Sequence, residues 1–286
     1  MADNTLTLLV MHYRTPDVLE TCLEKLAAFA PGVRVIVIDS SPPDETPHVK
    51  VELLKVSNHS FAHMVNCGLK QVETPYAAHL NADVFIRPET LPRLLEVVKQ
   101  PGVGMVGPSV RTPNGELQNQ GLPYRWHYAK LNRSAHTAIP VPWLSGCLQL
   151  FRTEAVATVG GMDASLRFYN EDMEWCFRFR QVGWACRLVK TEVLHLGGAS
   201  TPKDSRFILE GYRGGYKLSQ RYHGAVYRGV HRGVVRAQSS WDKRFSRDPV
   251  QQQVAAQIGE MFRRNEFDES PFGETLNEAN LHFGTW

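Results

Sequence analysis

No stretch of this sequence approaches the roughly 20 apolar residues of a membrane-spanning helix, and residues 1–4 lead directly into an apolar strand rather than a signal sequence. The expectation is a cytoplasmic protein. Charge of one sign is equally scarce: 32 Lys and Arg against 29 Asp and Glu leave a net charge of +3. No basic run is interleaved with stacking aromatics, which argues against nucleic acid as a partner. The five cysteines, Cys22, Cys67, Cys147, Cys176 and Cys186, are odd in number, far apart and without a C-x-x-C pair. They read as small core residues in a reducing compartment rather than as disulfides or metal ligands. No G-x-G-x-x-G follows the first strand, so the dinucleotide fingerprint is missing. The residues after that strand, His12-Tyr13-Arg14-Thr15, also lack the glycine of a loop that cradles a triphosphate.

What is present is a chain of 286 residues, 43% hydrophobic, enough for one large domain and a tail. Residues 5–11 form a strand, and Pro16 opens a helix with Leu19, Cys22, Leu23, Leu26 and Phe29 on one face. Buried strands follow at 33–38, 51–56 and 76–80. A helix with Phe61, Met64, Val65, Gly68, Leu69 and Val72 inward leaves His63, Asn66 and Lys70 on its other face, and another helix starts after Pro88. Strands alternating with amphipathic helices predict an α/β fold with a doubly wound, mostly parallel sheet. A strand at 103–106 leads into 108–140, which has weak periodicity and reads as one long connection. Residues 142–151 read as a strand broken at Ser145-Gly146, and 186–190 with 192–194 as a last strand pair.

Acidic residues stand where the strands stop. Asp39 and Asp83 both end up on the carboxyl edge of the sheet, the edge where open α/β sheets bind ligands. A carboxylate released there suits a metal ion or a sugar hydroxyl, although an aspartate that starts a turn looks the same. Asn170 is placed to cap a helix carrying Glu171 and Asp172 in its first turn, where the dipole favours the ionised state a general base needs. His195 closes the last strand. From Lys203 to Arg247 there are eleven basic residues against three acids, and from Asp248 on seven acids against two Arg. This asymmetry marks a helical tail with a basic collar and an acidic end.

Strand-Asp39, Asn58-His59-Ser60-Phe61-Ala62 with Asn66-Cys67-Gly68, Leu80-Asn81-Ala82-Asp83 and Trp143-Leu144-Ser145-Gly146 occur in a definite order. Gly160-Gly161-Met162-Asp163, Asn170-Glu171-Asp172, Arg178, Gly183 and His195 continue it. Together they resemble the family-2 inverting glycosyltransferases of the GT-A fold, in particular the rhamnosyltransferase-like group. The resemblance implies a nucleotide-sugar donor, UDP-, dTDP- or GDP-linked, with a glycan or lipid-linked acceptor and rhamnose as one candidate sugar. It implies that Asp39 accepts from the nucleotide base. Asn58, Asn66, Asn81, Asp83, Ser145 and Gly146 would line the donor site, and Asp83 and His195 would ligate Mn²⁺ or Mg²⁺. It makes Asp172 the catalytic base, with Glu171 as the rival. Asn81 stands where the family's D-x-D-type motif has its first aspartate, which removes one charged ligand. The catalytic domain is expected over 1–203 and a helical aromatic-basic extension over 204–286. The aromatic-basic segment Tyr212 to Tyr222 would face a lipid-linked acceptor at the inner membrane face or pack against the domain or a second subunit. A sugar-nucleotide nucleotidyltransferase and a degenerate, non-catalytic sugar-nucleotide binding protein are the competing readings.

Overall fold

A computed structural model describes residues 5–118, 122–197 and 204–276. Strand β1 (Leu6–His12) is buried along its whole length, helix α1 (Pro16–Phe29) follows, and β2 (Arg34–Asp39) lies parallel to β1. Then come β3 (Glu52–Lys55), α2 (Phe61–Leu69), β4 (Tyr76–Asn81), the two-residue β5 (Val84–Phe85) and α3 (Thr90–Val98). Next are β6 (Val103–Arg111), α4 (Leu122–Arg133), β7 (Ala138–Pro140), β8 (Leu148–Arg152), α5 (Thr153–Val159), α6 (Glu171–Gln181) and β9 (Ala185–His195). Three helices, α7 (Ser205–Tyr222), α8 (Ala225–Phe245) and α9 (Pro249–Arg264), end the described chain.

The strands form one mixed sheet in the order β3-β2-β1-β4-β8-β6-β9-β5, with β7 also paired to β9. Strands β3, β2, β1 and β4 run parallel, β8 is antiparallel between β4 and β6, and β9 is parallel to β6. Successive residues of a strand point to opposite faces, and both faces are covered here. Leu8 and Val10 pack with Leu19, Cys22 and Leu26 of α1 and Leu91 and Leu94 of α3. Leu9 and Met11 pack with Val65 and Leu69 of α2 and Trp175 and Phe179 of α6. The doubly wound, mostly parallel sheet is therefore present as expected. Among the described residues the five cysteines are unbridged, and all but Cys67 are buried.

Three expectations need correction. The stretch 108–140 is not one connection: β6 runs on to Arg111, and α4 and β7 lie within it. The strand expected over 142–151 is ordered as a strand only from Leu148. The last strand pair is a single strand, β9, that slips register against β6 between Pro108 and Ser109. This irregularity places Thr191 where the sequence reading put a gap.

Helix α7 does not stand free with its aromatics outward. Tyr216 is buried with Phe262 and Phe267, and the Tyr222 hydroxyl donates to Glu174 at 2.6 Å. Glu210 and Arg213 are fully buried and bidentate, with Nε–Oε2 at 2.8 Å and Nη2–Oε1 at 2.6 Å. The pair also ties the tail to the sheet domain: Arg167 N–H and the Ser270 hydroxyl donate to Glu210, while Arg213 donates to the Ser165 and Phe267 carbonyls. Breaking one side of a buried pair strands the other charge. Glu210→Gln is therefore expected to lower the stability of the whole chain by about 3–5 kcal/mol, read as a shift of the urea midpoint with no separate early transition for the tail.

Candidate active site

The parallel strands end level with one another. His12 pairs in register with Asp39, Met11 with Asn81 and Asp39 with Lys55, so β1, β2, β3 and β4 release their loops at one edge. A cleft of about 880 Å³ opens there, bounded also by residues 143–147, 167–173, 195–197 and the start of α7. It brings together Asn58, Asn81, Asp83, Ser145, Gly146, Glu171, Asp172 and His195 from distant parts of the sequence. Two expected site residues are not among them. Asn66 is fully buried, accepting from Met162 N–H at 2.8 Å and donating to its carbonyl at 2.9 Å. It straps α2 to the loop before α6, and its expected place on an outer face is wrong because those two amide bonds turn it inward.

Asp39 is the other. Its carboxylate is buried behind the cleft wall, where Oδ1 takes His12 Nδ1 at 2.9 Å and the Ser41 hydroxyl at 2.6 Å, and Oδ2 takes Lys55 Nζ at 2.6 Å. Burial raises its pKa, but the Lys55 ammonium, the Ser41 donors and His12 outweigh it, and the group is held below the ordinary range. What faces the cleft at this strand end is His12, Tyr13 and Ser40. His12 Nε2 accepts from Thr15 N–H at 3.1 Å, so Nδ1 carries the proton it shares with Asp39.

Across the cleft, β5 pairs with the end of β9, setting Val84 opposite His195, and Leu196 N–H donates to the Asp83 carbonyl at 3.0 Å. This short ladder brings His195 Nε2 to 3.3 Å from Asp83 Oδ1, each side chain 10% exposed. Gln118 Oε1 lies 2.6 Å from His195 Nδ1. With the amide assigned in that orientation, Nδ1 donates to Gln118 and Nε2 is the nitrogen left facing the Asp83 carboxylate. Asn81 Oδ1 is buried nearby with no hydrogen-bond partner. Such a set fits a divalent cation that accepts oxygen and imidazole donors. Among the described residues no group of three His, Cys, Asp or Glu is arranged to hold a metal. A cation held between Asp83 and His195 would need further ligands, and among the described side chains Asn81 Oδ1 is placed to be one of them.

The second half of the cleft is the first turn of α6. Tyr169 and Asn170 both have a φ of 69°, and Asn170 does not cap the helix with its side chain as expected. Its Nδ2 donates instead to the Gly211 carbonyl of α7 at 2.9 Å, and a Cβ on Gly214 would stand only 2.9 Å from that nitrogen. Helix α7 therefore sets the bend that aims the next two residues. Asp172 Oδ2 accepts from Gly146 N–H at 2.7 Å and Oδ1 from Met173 N–H at 2.7 Å. Burial raises the pKa of both Asp172 and Glu171. The two backbone donors hold Asp172 lower, whereas Glu171 Oε2 is buried with no partner. Asp172 is thus the member of the pair that ionises first. Cys147 also lines the cleft, but burial pushes its thiol up to about 12, which removes it as a nucleophile.

Gly146 is required by close approach: a Cβ there would lie 3.1 Å from Asp172 Cβ and 3.3 Å from its Oδ2. Gly146→Ala is expected to push the carboxylate off its backbone donor and lower kcat by about tenfold to a hundredfold. The donor KM should be unchanged, as steady-state kinetics would show.

His12, Gln118, Arg167 and Arg206 also line the cleft and were not singled out from the sequence. His12 was within reach, since the strand needed extending by one residue to set it beside Asp39. Gln118 had no signal; it returns to the site through a turn that Gln118 N–H closes onto the Val110 carbonyl at 2.9 Å.

The sequence profile described as glycosyl transferase family 2 matches residues 7–160. The N-acetylglucosaminyl-diphospho-decaprenol L-rhamnosyltransferase of Mycobacterium tuberculosis is 27% identical over 213 residues, 60% of this chain and 69% of the relative. The poly-beta-1,6-N-acetyl-D-glucosamine synthase of Staphylococcus epidermidis is 26% identical over 183 residues, 59% of this chain and 44% of the relative. Among solved structures, a mannosyltransferase from Pyrobaculum calidifontis in complex with GDP-Man and Mn²⁺ superposes with a TM-score of 0.54 at 16% identity. The match covers 89% of this chain and 73% of that one. GalNAc-T7 with UDP, GalNAc and Mn²⁺ gives a TM-score of 0.60 at 12% identity, over 92% of this chain and 56% of that one. These superpositions identify the fold as GT-A.

Proposed function

The chain belongs to glycosyl transferase family 2, and from that premise we propose that this glycosyltransferase moves a sugar, with inversion, from a nucleotide-diphosphate donor to a glycan or lipid-linked acceptor in a metal-dependent reaction. The observation that carries the reading is the pairing of Asp83 with His195 on one wall of a cleft whose other wall holds Asp172. The nucleoside lies against His12, Tyr13 and Ser40, and Asp39 acts behind them by holding His12 in its Nδ1–H form. Asp83 and His195, with Asn81, would hold Mn²⁺ or Mg²⁺. When bound, the cation supplies positive charge against the departing diphosphate. Asp172 takes the proton of the acceptor hydroxyl as that oxygen attacks the anomeric carbon, and the bond to the diphosphate oxygen breaks. The acceptor therefore enters between Asp172 and the first turn of α7. Rhamnose and a diphospho-lipid acceptor, as named for the mycobacterial relative, are the starting candidates.

The nucleotidyltransferase alternative is weakened by the loop after β1. Arg14 N–H is spent on the Ser41 hydroxyl and Thr15 N–H on His12, so these amides are not free to cradle a triphosphate. A binding protein without catalysis would leave Asp172 no reason for its two backbone donors. Residues 204–276 are expected to act as part of the acceptor side rather than as a detachable unit, since Arg206, Phe207 and Phe272 line the cleft.

Thermal stabilisation by UDP, dTDP and GDP with and without Mn²⁺ tests the reading. One nucleoside diphosphate at a hundredfold excess over its Kd should stabilise the chain by about 2.7 kcal/mol, and only with the cation. Equal stabilisation without Mn²⁺ would remove the metal, and none by any diphosphate would remove the donor site.

A further inference from the structure

Helix α8 turns outward the kind of side chain that a packed helix buries. Val226, Val230, Val234, Trp241 and Phe245 are 82%, 62%, 59%, 65% and 55% exposed. At 3.6 residues per turn these five fall within a stripe about 100° wide that runs the length of the helix. The face that packs inward is narrow by comparison, with Val235 and Ser239 buried and His231 at 2.6 Å from the Ser219 hydroxyl. A contiguous apolar face of this extent on an otherwise soluble surface marks an interaction site.

The charge along one flank of the stripe identifies the partner. Arg244 falls on the edge of the stripe and Arg236 and Lys243 on the exposed flank beside that edge, with Arg247 just past the helix end, whereas Arg228 and Arg232 turn toward the packed side; the helix has a single acid, Asp242. Arg232 is bonded to Asn265 and to the Arg263 carbonyl, but among the described residues the other five meet no carboxylate within ion-pair distance. An anionic lipid surface offers phosphates to the cations and an acyl boundary to the stripe. No helix among the described residues is long and apolar enough to cross a membrane, so the fitting geometry is a helix lying in the plane of the interface.

The placement of α8 gives the contact a direction. The helix runs back along α7: His231 sits 5.5 Å from the Tyr216 ring, and further on the charge of Asp242 reaches Tyr212. It therefore carries Trp241 and Phe245 toward the end of α7 whose Arg206 and Phe207 line the cleft.

We propose that α8 is an interfacial docking helix for an anionic bilayer, with Trp241, Phe245 and the three valines at the acyl boundary and Arg236, Lys243, Arg244 and Arg247 at the lipid phosphates. The surface lies apart from the carboxylates of the cleft, and the inference stands whether or not the transferase reading does. Aromatic side chains suit this depth because they join a large apolar body to a boundary that is partly wet.

Co-sedimentation of the full chain with vesicles of phosphatidylcholine alone, and with added phosphatidylglycerol, tests it without any activity measurement. Binding is expected to the anionic vesicles, weakening as salt rises. Trp241→Ala with Phe245→Ala should lower the partition coefficient by about tenfold or more, and Arg236→Glu with Lys243→Glu should abolish the preference for phosphatidylglycerol. All four positions are exposed, so unchanged thermal midpoints are expected and would show that the fold is intact. No binding to either vesicle, equal binding to both, or binding untouched by the aromatic pair would each overturn the proposal. So would a wild-type dimer in sedimentation velocity that the aromatic variant converts to monomer with no vesicle binding, which would give the face to a second copy of the chain.

Discussion

Asp172→Asn should bind the donor nucleotide as the wild type does and transfer sugar about 10² to 10⁴ times more slowly, the usual contribution of a positioned general base. The amide matches the carboxylate in size, and its oxygen still accepts one of the two N–H groups, from Gly146 or Met173, that hold the side chain. It cannot accept the acceptor's proton. The pH dependence supplies an independent signature. Burial raises the Asp172 pKa, so the group is protonated and idle at low pH and becomes a working base only as pH rises through a range above that of an ordinary carboxylate. kcat of the wild type should climb through that range, and the residual rate of the variant should be flat there. A dead Glu171→Gln beside a near-normal Asp172→Asn would exchange the two roles. Retention of anomeric configuration in the product would exclude direct displacement altogether.

Asp83→Ala should leave the fold standing and remove the cation's effect on donor binding. The loss of an outer partner of a metal ligand already costs about 10–100-fold in affinity, so deleting a direct ligand is expected to cost at least about a hundredfold. Asp83 is 8% exposed at a loop that lines the cleft, and its main chain keeps the bond to Leu196 in the variant. The side chain's ion-pair partner is His195, at 3.3 Å. The variant should therefore melt near the wild-type temperature without ligand, and the Mn²⁺-dependent rise with nucleoside diphosphate should vanish. A preserved rise would place the cation elsewhere.

The strand ends were legible because parallel strands buried on both faces are written as unbroken apolar runs, and an aspartate ends such a run visibly. Ile38 before Asp39 and Leu80 before Asp83 mark the edge this way, and the cleft lies beyond them. Helix α4 was not legible because its inward positions are Tyr124, Tyr128 and Leu131, buried to 1% or less, with Trp126, Arg125 and Lys130 between them. Phenolic rings used as core do not stand out in a sequence scanned for aliphatic periodicity. The displacement of Asp39 from the cleft depends on Lys55, a partner defined by strand register and not by sequence distance. The role of α7 was hidden for a similar reason. Glu210 and Arg213 look like one acid and one base of an exposed collar, and only packing reveals that they are dry.

The left-handed pair Tyr169 and Asn170 is held by a helix that begins more than thirty residues later. Anyone grafting the last three helices of another chain onto this sheet would be replacing the peg that fixes the aim of Asp172, not an accessory. A chimera of that kind should fold, bind its donor and waste it: without the Asn170 anchor, water is as well placed as any sugar hydroxyl to meet the anomeric carbon. Selection for a new acceptor by exchange of the tail would therefore have to carry the Gly211 carbonyl and the gap at Gly214 along with it.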